Sequence, residues 1–141
     1  MPLSLDQSNI SLDNPKFFPM LNQLQANILQ HHGRKFAFHF LVTIDSNKIN
    51  QAKNWISEFA NNKVTSAKSQ LEASQAFDVN GTDGGSLKTL SISSSGYTKL
   101  NEQIPNPIGG DDNAFRDGMQ ASEDRLSDTP SKWDVEYQSN I

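Results

Sequence analysis

Residues 36–44 form the most hydrophobic stretch of this 141-residue chain, and they constrain its fold more than any other segment. Apolar side chains stand there at every second position, namely Phe36, Phe38, Phe40, Val42 and Ile44. Because successive side chains of a strand point to opposite faces, this alternation predicts a β-strand with one strongly apolar face. The other face is mixed but includes Leu41, so we expect the strand to lie in the middle of a sheet.

Helical spacing predicts a short amphipathic helix or helical turn before this strand and a helix after it. Apolar residues recur at three- and four-residue steps within residues 19–29, and Gly33 follows as a stop signal. After the strand, Asp45 and Ser46 can cap a helix over residues 49–62, in which apolar side chains follow one stripe.

The second half of the chain is less strongly patterned. Residues 64–77 carry a weak helical stripe, and residues 87–94 alternate enough to predict a second strand. Ser94 or Ser95 would cap a short helix that runs through Leu100. Asp112 or Asn113 can cap a further helix over residues 114–126.

The length of the chain matches one domain, for which roughly 100–200 residues are usual. Residues 1–18 show neither a helical nor a strand period, so we expect an N-terminal arm there and one domain over residues 19–141. Hydrophobic residues make up only 35% of the chain, which predicts a small core.

Charge and cysteine content limit the possible partners. The net charge of −4 provides no basic field for a phosphate backbone or an anionic membrane surface, so we expect neither nucleic acid nor a membrane as partner. The longest apolar stretch is far shorter than the roughly 18 residues that span a bilayer. The chain has no cysteine, which fits a reducing compartment, and we expect a cytoplasmic protein.

His31, His32 and His39 are the side chains best suited to act as bases near neutral pH, and each could bind a metal or a haem iron. Solvated or hydrogen-bonded histidines are the simpler interpretation, and we expect no metal site. No G-x-S-x-G pattern supports a hydrolase, and the glycine-rich residues 81–85 lack a phosphate-binding lysine. Residues 34–40 resemble an RNA-stacking strand but lack its glycine.

Three sequence blocks share their order and spacing with one enzyme family. They are residues 24–29 with His32, Gly33 and Arg34; residues 90–100; and residues 114–119 with Leu126, Ser127, Asp128 and Trp133. They are similar to the patterns I-Q-G-N-I-L…Y-G-R, F-S-x-x-G-L-x-x-L and F-x-x-G-M…L-G-D…W. In these blocks the chain resembles the N-terminal portion of the dye-decolorising (DyP-type) haem peroxidases.

This resemblance implies a fold and an activity. The family folds into ferredoxin-like α+β modules with haem b between them, and it couples reduction of hydrogen peroxide to oxidation of dyes or other donors. We therefore expect a partial β-α-β-β-α-β unit, with an antiparallel sheet and helices on one face. The closing strand of that unit would follow the region of Trp133 and is expected to be absent.

The same comparison implies that this chain ends before the catalytic segments of the family. The G-x-x-D-G acid, the proximal haem histidine and the distal arginine all lie downstream of the third block. We expect a fragment or truncated peroxidase that is inactive alone, with no catalytic, cofactor-binding or metal-binding residue and no haem ligated by this chain alone. Asp117, within A-F-R-D-G, is the alternative catalytic acid, although the block pattern favours an incidental helix-surface carboxylate.

Departures from the family patterns indicate a diverged member. Ala26, His32, Ser93 and Ser127 stand where the family commonly has Gly, Tyr, Phe and Gly. The rival hypothesis is a free-standing ferredoxin-like interaction module without catalysis. Without a closing strand, residues 36–44 would keep unpaired backbone groups, so we expect self-association or a partner chain that supplies the strand and the haem half.

Overall fold

The computed structural model describes residues 8–105, 113–118, 121 and 129–135. Within these residues the regular structure is helical, with five α-helices: α1 (Phe18–Gln23), α2 (Ile49–Asn62), α3 (Ala67–Asn80), α4 (Ser94–Lys99) and α5 (Ala114–Asp117). Single turns of 3-10 helix cover Pro15–Phe17, Ser46–Lys48 and Pro130–Lys132. Gln25 and Ser66 form an isolated antiparallel bridge.

Neither predicted strand forms, and the predicted α+β ferredoxin-like fold is wrong. Residues 36–44 and 87–93 have no regular secondary structure, and no sheet is present among the described residues. Phe36, Phe38 and Phe40 are 85, 87 and 86% exposed. Alternation decides which side chains share a face, but a strand forms only when a neighbour takes up its backbone hydrogen bonds, and no described segment takes up those of residues 36–44.

The helix that follows residues 36–44 is confirmed with both of its predicted ends. The Asp45 carboxylate accepts a hydrogen bond from the N–H of Asn47 at 2.9 Å. This cap starts the turn Ser46–Lys48, which leads directly into α2, and α2 ends at Asn62. The polar cap and the apolar stripe are both local features, so the sequence alone was enough to locate them.

Caps also determine the limits of α3 and α4. The Ser66 hydroxyl accepts from the N–H of Ser69 at 3.1 Å at the start of α3. The helix ends at Gly81, whose φ of 70° lies in the left-handed region that favours glycine. In α4 the cap is Ser93 rather than one of the two following serines, and it accepts from the N–H of Gly96.

The first predicted helix is too long, and the last one is described only at its start. α1 ends at Gln23 because Leu24 adopts an extended backbone, with φ −74° and ψ 134°. α5 starts after Asn113, and Gly118 leaves the helical conformation at φ 74°. The remainder of the third sequence block lies outside the described residues, namely Met119, Leu126, Ser127 and Asp128.

The chain divides into two compact units, and the division falls within α2. One comprises the described residues up to Ala37 together with Ser57–Leu90, and the other comprises Phe38–Ile56 and the described residues from Ser91 onward. The predicted division into an arm over residues 1–18 and a domain over residues 19–141 stays a prediction. None of the described helices has the length and hydrophobicity that a membrane crossing requires.

The core of the first unit lies between α1 and α3. Phe17, Leu21 and Ala67 are its buried members. Half-buried apolar side chains pack around them, namely Ile10, Leu12, Met20, Leu24, Leu29 and Leu71. In the second unit Leu100 is buried, and the ring of Tyr97 meets that of Phe115 edge to face at 6.2 Å between centroids. The described cores are small, as the composition predicts.

We predict that Leu21→Ala lowers the free energy of unfolding by roughly 2–5 kcal/mol, since truncating a buried leucine removes contacts and leaves a cavity. Leu21 is 0% exposed. Urea denaturation followed by circular dichroism measures the change. The control is Val79→Ala at an 85% exposed position of α3, for which a change within about 0.5 kcal/mol is expected. Equal stabilities for the two variants would show that the core lies elsewhere.

Candidate functional site

Gln70 on α3 holds the segment that precedes Arg34. Its side chain is 4% exposed. Its Oε1 accepts a hydrogen bond from the N–H of Asn27 at 2.7 Å, and its Nε2 donates to the carbonyl oxygens of Gln30 and His31, each at 3.2 Å. Both amide hydrogens and the carbonyl oxygen of Gln70 are therefore used. One side chain thus fixes the path of three residues in the first sequence block.

Gln70 was not among the residues predicted to be functional, although the sequence contains a signal for it. Ala67, Gln70 and Leu71 are spaced three and four residues apart and so share one face of α3. A polar residue within an otherwise apolar stripe indicates a buried side chain with hydrogen-bond partners. Ser74 continues the same face, and its hydroxyl accepts from the Nε2 of Gln30 at 2.7 Å.

Backbone bonds tie the same block to the start of α3. The N–H of Ala26 donates to the carbonyl of Thr65, and the N–H of Ala67 donates to the carbonyl of Leu24, both at 2.8 Å. Asn27 adopts a φ of 66°, a left-handed conformation that asparagine tolerates better than most residues. The chain can therefore turn directly after Ala26, which is fully buried.

A cleft of about 360 Å³ lies beside Gln70 in the first unit. Arg34 and Lys63 contribute positive charge to its lining, with Thr65, Ser66 and Ser69 at the start of α3. No carboxylate and no imidazole lines this cleft, so it offers no general base of the usual kind.

Arg34 is held in place by main-chain oxygens. Its Nε donates to the carbonyl of Gly85 at 3.1 Å, and its Nη1 donates to the carbonyl of His32 at 3.0 Å. A Cβ atom at Gly84 would come within 2.7 Å of the Nη2 of Arg34. The glycine-rich loop therefore leaves room for this guanidinium, which is a role that the sequence analysis did not assign to it.

The surroundings of the three histidines differ. The Nδ1 of His32 accepts a hydrogen bond from the N–H of Arg34 at 2.9 Å. His31 and His39 are exposed. Among the residues that the structure describes, no group of three or more His, Asp or Glu side chains is placed to hold a metal ion.

Asp117 is the last residue of α5 and is exposed. Its backbone N–H donates to the carbonyl of Asn113 at 2.8 Å. Asp117 is not among the residues that line the cleft beside Gln70. The catalytic and the helix-surface interpretations of this residue both stay predictions.

The described residues do not fit haem on their own. Haem requires an apolar slot and an axial ligand. The cleft beside Gln70 is polar, and so is a second cleft of about 520 Å³ that residues 46–51 and Asn101 line. No histidine lines either cleft.

We predict that Gln70→Leu destabilises the protein by roughly 1–3 kcal/mol, because the N–H of Asn27 and the carbonyl groups of Gln30 and His31 lose their hydrogen-bond partner. Urea denaturation again provides the measurement. Gln75→Leu, at an exposed position of the same helix, is the matched control and is expected to stay within about 0.5 kcal/mol of the parent. A Gln70→Leu protein as stable as the control would mean that the Gln70 bonds do not hold the block.

We predict that Asp117→Asn changes the free energy of unfolding by no more than about 0.5 kcal/mol, the usual range for an exposed site without partners. Thermal or urea denaturation measures it. A clearly larger loss would show that the carboxylate has a structural or catalytic environment and would favour the catalytic interpretation.

The comparison with solved structures gives an informative similarity. No protein-family model matches the chain, and no curated protein matches it. The structure matches the crystal structure of the DyP-type peroxidase AnaPX from Anabaena sp. with a TM-score of 0.77 and 32% sequence identity. The match covers 98% of this chain and 30% of the AnaPX chain. The chain is therefore similar, in structure and in sequence, to part of a DyP-type peroxidase.

Proposed function

We propose that the chain acts as one part of a cytoplasmic DyP-type haem peroxidase and is inactive without further polypeptide. The similarity to AnaPX carries this proposal, since it extends over 98% of the chain at 32% identity. The chain spans 30% of the length of AnaPX, so the activity of a whole peroxidase is a proposal here.

In this proposal the chain supplies structure, and the reacting groups come from the additional polypeptide. Haem, when bound by that polypeptide, would supply the oxidising chemistry. Gln70 would orient the block that leads to Arg34, since it binds Asn27, Gln30 and His31. The alternative hypothesis of a ferredoxin-like module loses its fold with the missing sheet, and it is not proposed.

We predict that the chain alone, mixed with haem, shows no Soret band of a histidine-ligated iron and no peroxide-dependent dye bleaching. The physical reason is that no histidine lines either of the two clefts described above. Absorption spectroscopy and a dye-bleaching assay measure the two properties. A stable haem spectrum that disappears in His31→Ala, His32→Ala or His39→Ala would contradict the proposal.

A chimera tests the positive part of the proposal. The portion of AnaPX that this chain matches is replaced by this chain, and AnaPX without that portion is the control. We predict that the chimera binds haem and bleaches dye in the presence of peroxide, at a level above the control. A chimera that has native-like circular dichroism but binds no haem would show that the similarity does not extend to function.

A further inference from the structure

Residues 36–44 form an exposed apolar segment with unpaired backbone groups. Phe36, Phe38 and Phe40 are almost fully exposed, and Val42 is 70% exposed. Within the described part of the chain, no backbone N–H or C=O of residues 36–44 takes part in a hydrogen bond. Unpaired backbone groups beside alternating apolar side chains are a template for pairing with another strand.

The charges at the two ends of this segment select its partner. Lys35 precedes the segment and Asp45 follows it, with no charged residue, proline or glycine between them. When two copies pair antiparallel about Phe40, Lys35 lies opposite the second copy's Asp45, and Phe38 lies opposite the second copy's Val42. The segment is therefore complementary to itself in charge and in shape.

Other arrangements of two copies lose this complementarity. Parallel in-register pairing places Lys35 opposite the second copy's Lys35, and like charges directly opposite each other are destabilising. An antiparallel register shifted by two residues places Asp45 opposite Ala37 or Gly33 and Lys35 opposite Asn47 or Thr43, and so leaves both charges unpaired. The antiparallel register centred on Phe40 is the one that pairs both ends.

We propose that two copies of this chain associate by antiparallel pairing of residues 35–45, centred on Phe40. Pairing brings the six rings of two copies together on one face, where aromatic and β-branched cross-strand neighbours stabilise paired strands. This association rests on the exposed segment and its charges, and it does not depend on a role in a peroxidase.

A charge exchange tests the register. Lys35→Asp places two carboxylates opposite each other at both ends of the pairing and is expected to weaken dimerisation by about tenfold. Asp45→Lys is expected to weaken it similarly, and the double variant K35D/D45K restores it. Sedimentation velocity measures the dissociation constants. Because Asp45 also caps the turn before α2, circular dichroism verifies the helical content of each variant. A double variant as weak as the single ones would overturn the proposed register.

Single cysteines test the geometry, since the chain has no cysteine of its own. In the proposed dimer the two copies of Phe40→Cys have Cα atoms about 4.5–5.5 Å apart, within disulfide range. The two copies of Phe36→Cys lie about 27 Å apart, at about 3.4 Å per residue. Mild oxidation should therefore cross-link Phe40→Cys and leave Phe36→Cys uncross-linked. Equal cross-linking of both would indicate parallel or non-specific association and would overturn the proposal.

A matched lysine substitution separates this edge from other exposed aromatic surface. Phe40→Lys should give a monomer, whereas Phe77→Lys, at a 61% exposed position on α3, should leave the dimer intact. A parent chain that stays monomeric at about 50 μM, well above the micromolar range of weak specific complexes, would refute the proposal. The proposal would also be refuted if the chain stayed monomeric and bound the part of AnaPX that lies outside the match.

Discussion

The buried carboxamide of Gln70 is the interaction on which the first unit depends. A polar side chain that loses water must be hydrogen-bonded, and Gln70 satisfies this condition only when Asn27, Gln30 and His31 all adopt their observed positions. The apolar core between α1 and α3 would accept several arrangements of similar volume. The hydrogen bonds of the Gln70 carboxamide are satisfied in a single arrangement. The block that resembles the peroxidase family is thus shaped by a residue more than 30 positions away in sequence.

The helices could be predicted where their signals are local. Asp45 and the stripe over α2 lie within one segment, so α2 was predicted with both ends. The strands could not be predicted in this way, because alternation is a property of one segment whereas a β-ladder needs two segments. Residues 36–44 have the pattern of a central strand and are exposed in the structure. The predicted end of α1 was wrong for a related reason. The residues expected to form its second half instead make hydrogen bonds with Thr65 and Gln70.

The candidate site beside Gln70 was not predicted from the sequence. The sequence offers candidates among residues that can react, and His31, His32 and His39 are of this kind. Gln70 and Gly84 are of another kind: Gln70 binds main-chain groups, and the missing side chain of Gly84 makes room for Arg34. Both roles depend on which segments meet in space. Only the interruption of the apolar stripe on α3 marks Gln70 within the sequence, and nothing comparable marks Gly84.

The similarity to AnaPX and the missing sheet are compatible, because they concern different properties of the backbone. A TM-score of 0.77 reports that the chain follows a similar path. A ladder additionally requires N–H and C=O groups of two strands within about 3 Å of each other. Residues 36–44 can therefore keep the path without the bonds, and their exposed phenylalanines then favour any strand that completes them. The alternating apolar side chains of residues 36–44 therefore explain both the prediction of a central strand and the exposed segment that the structure shows.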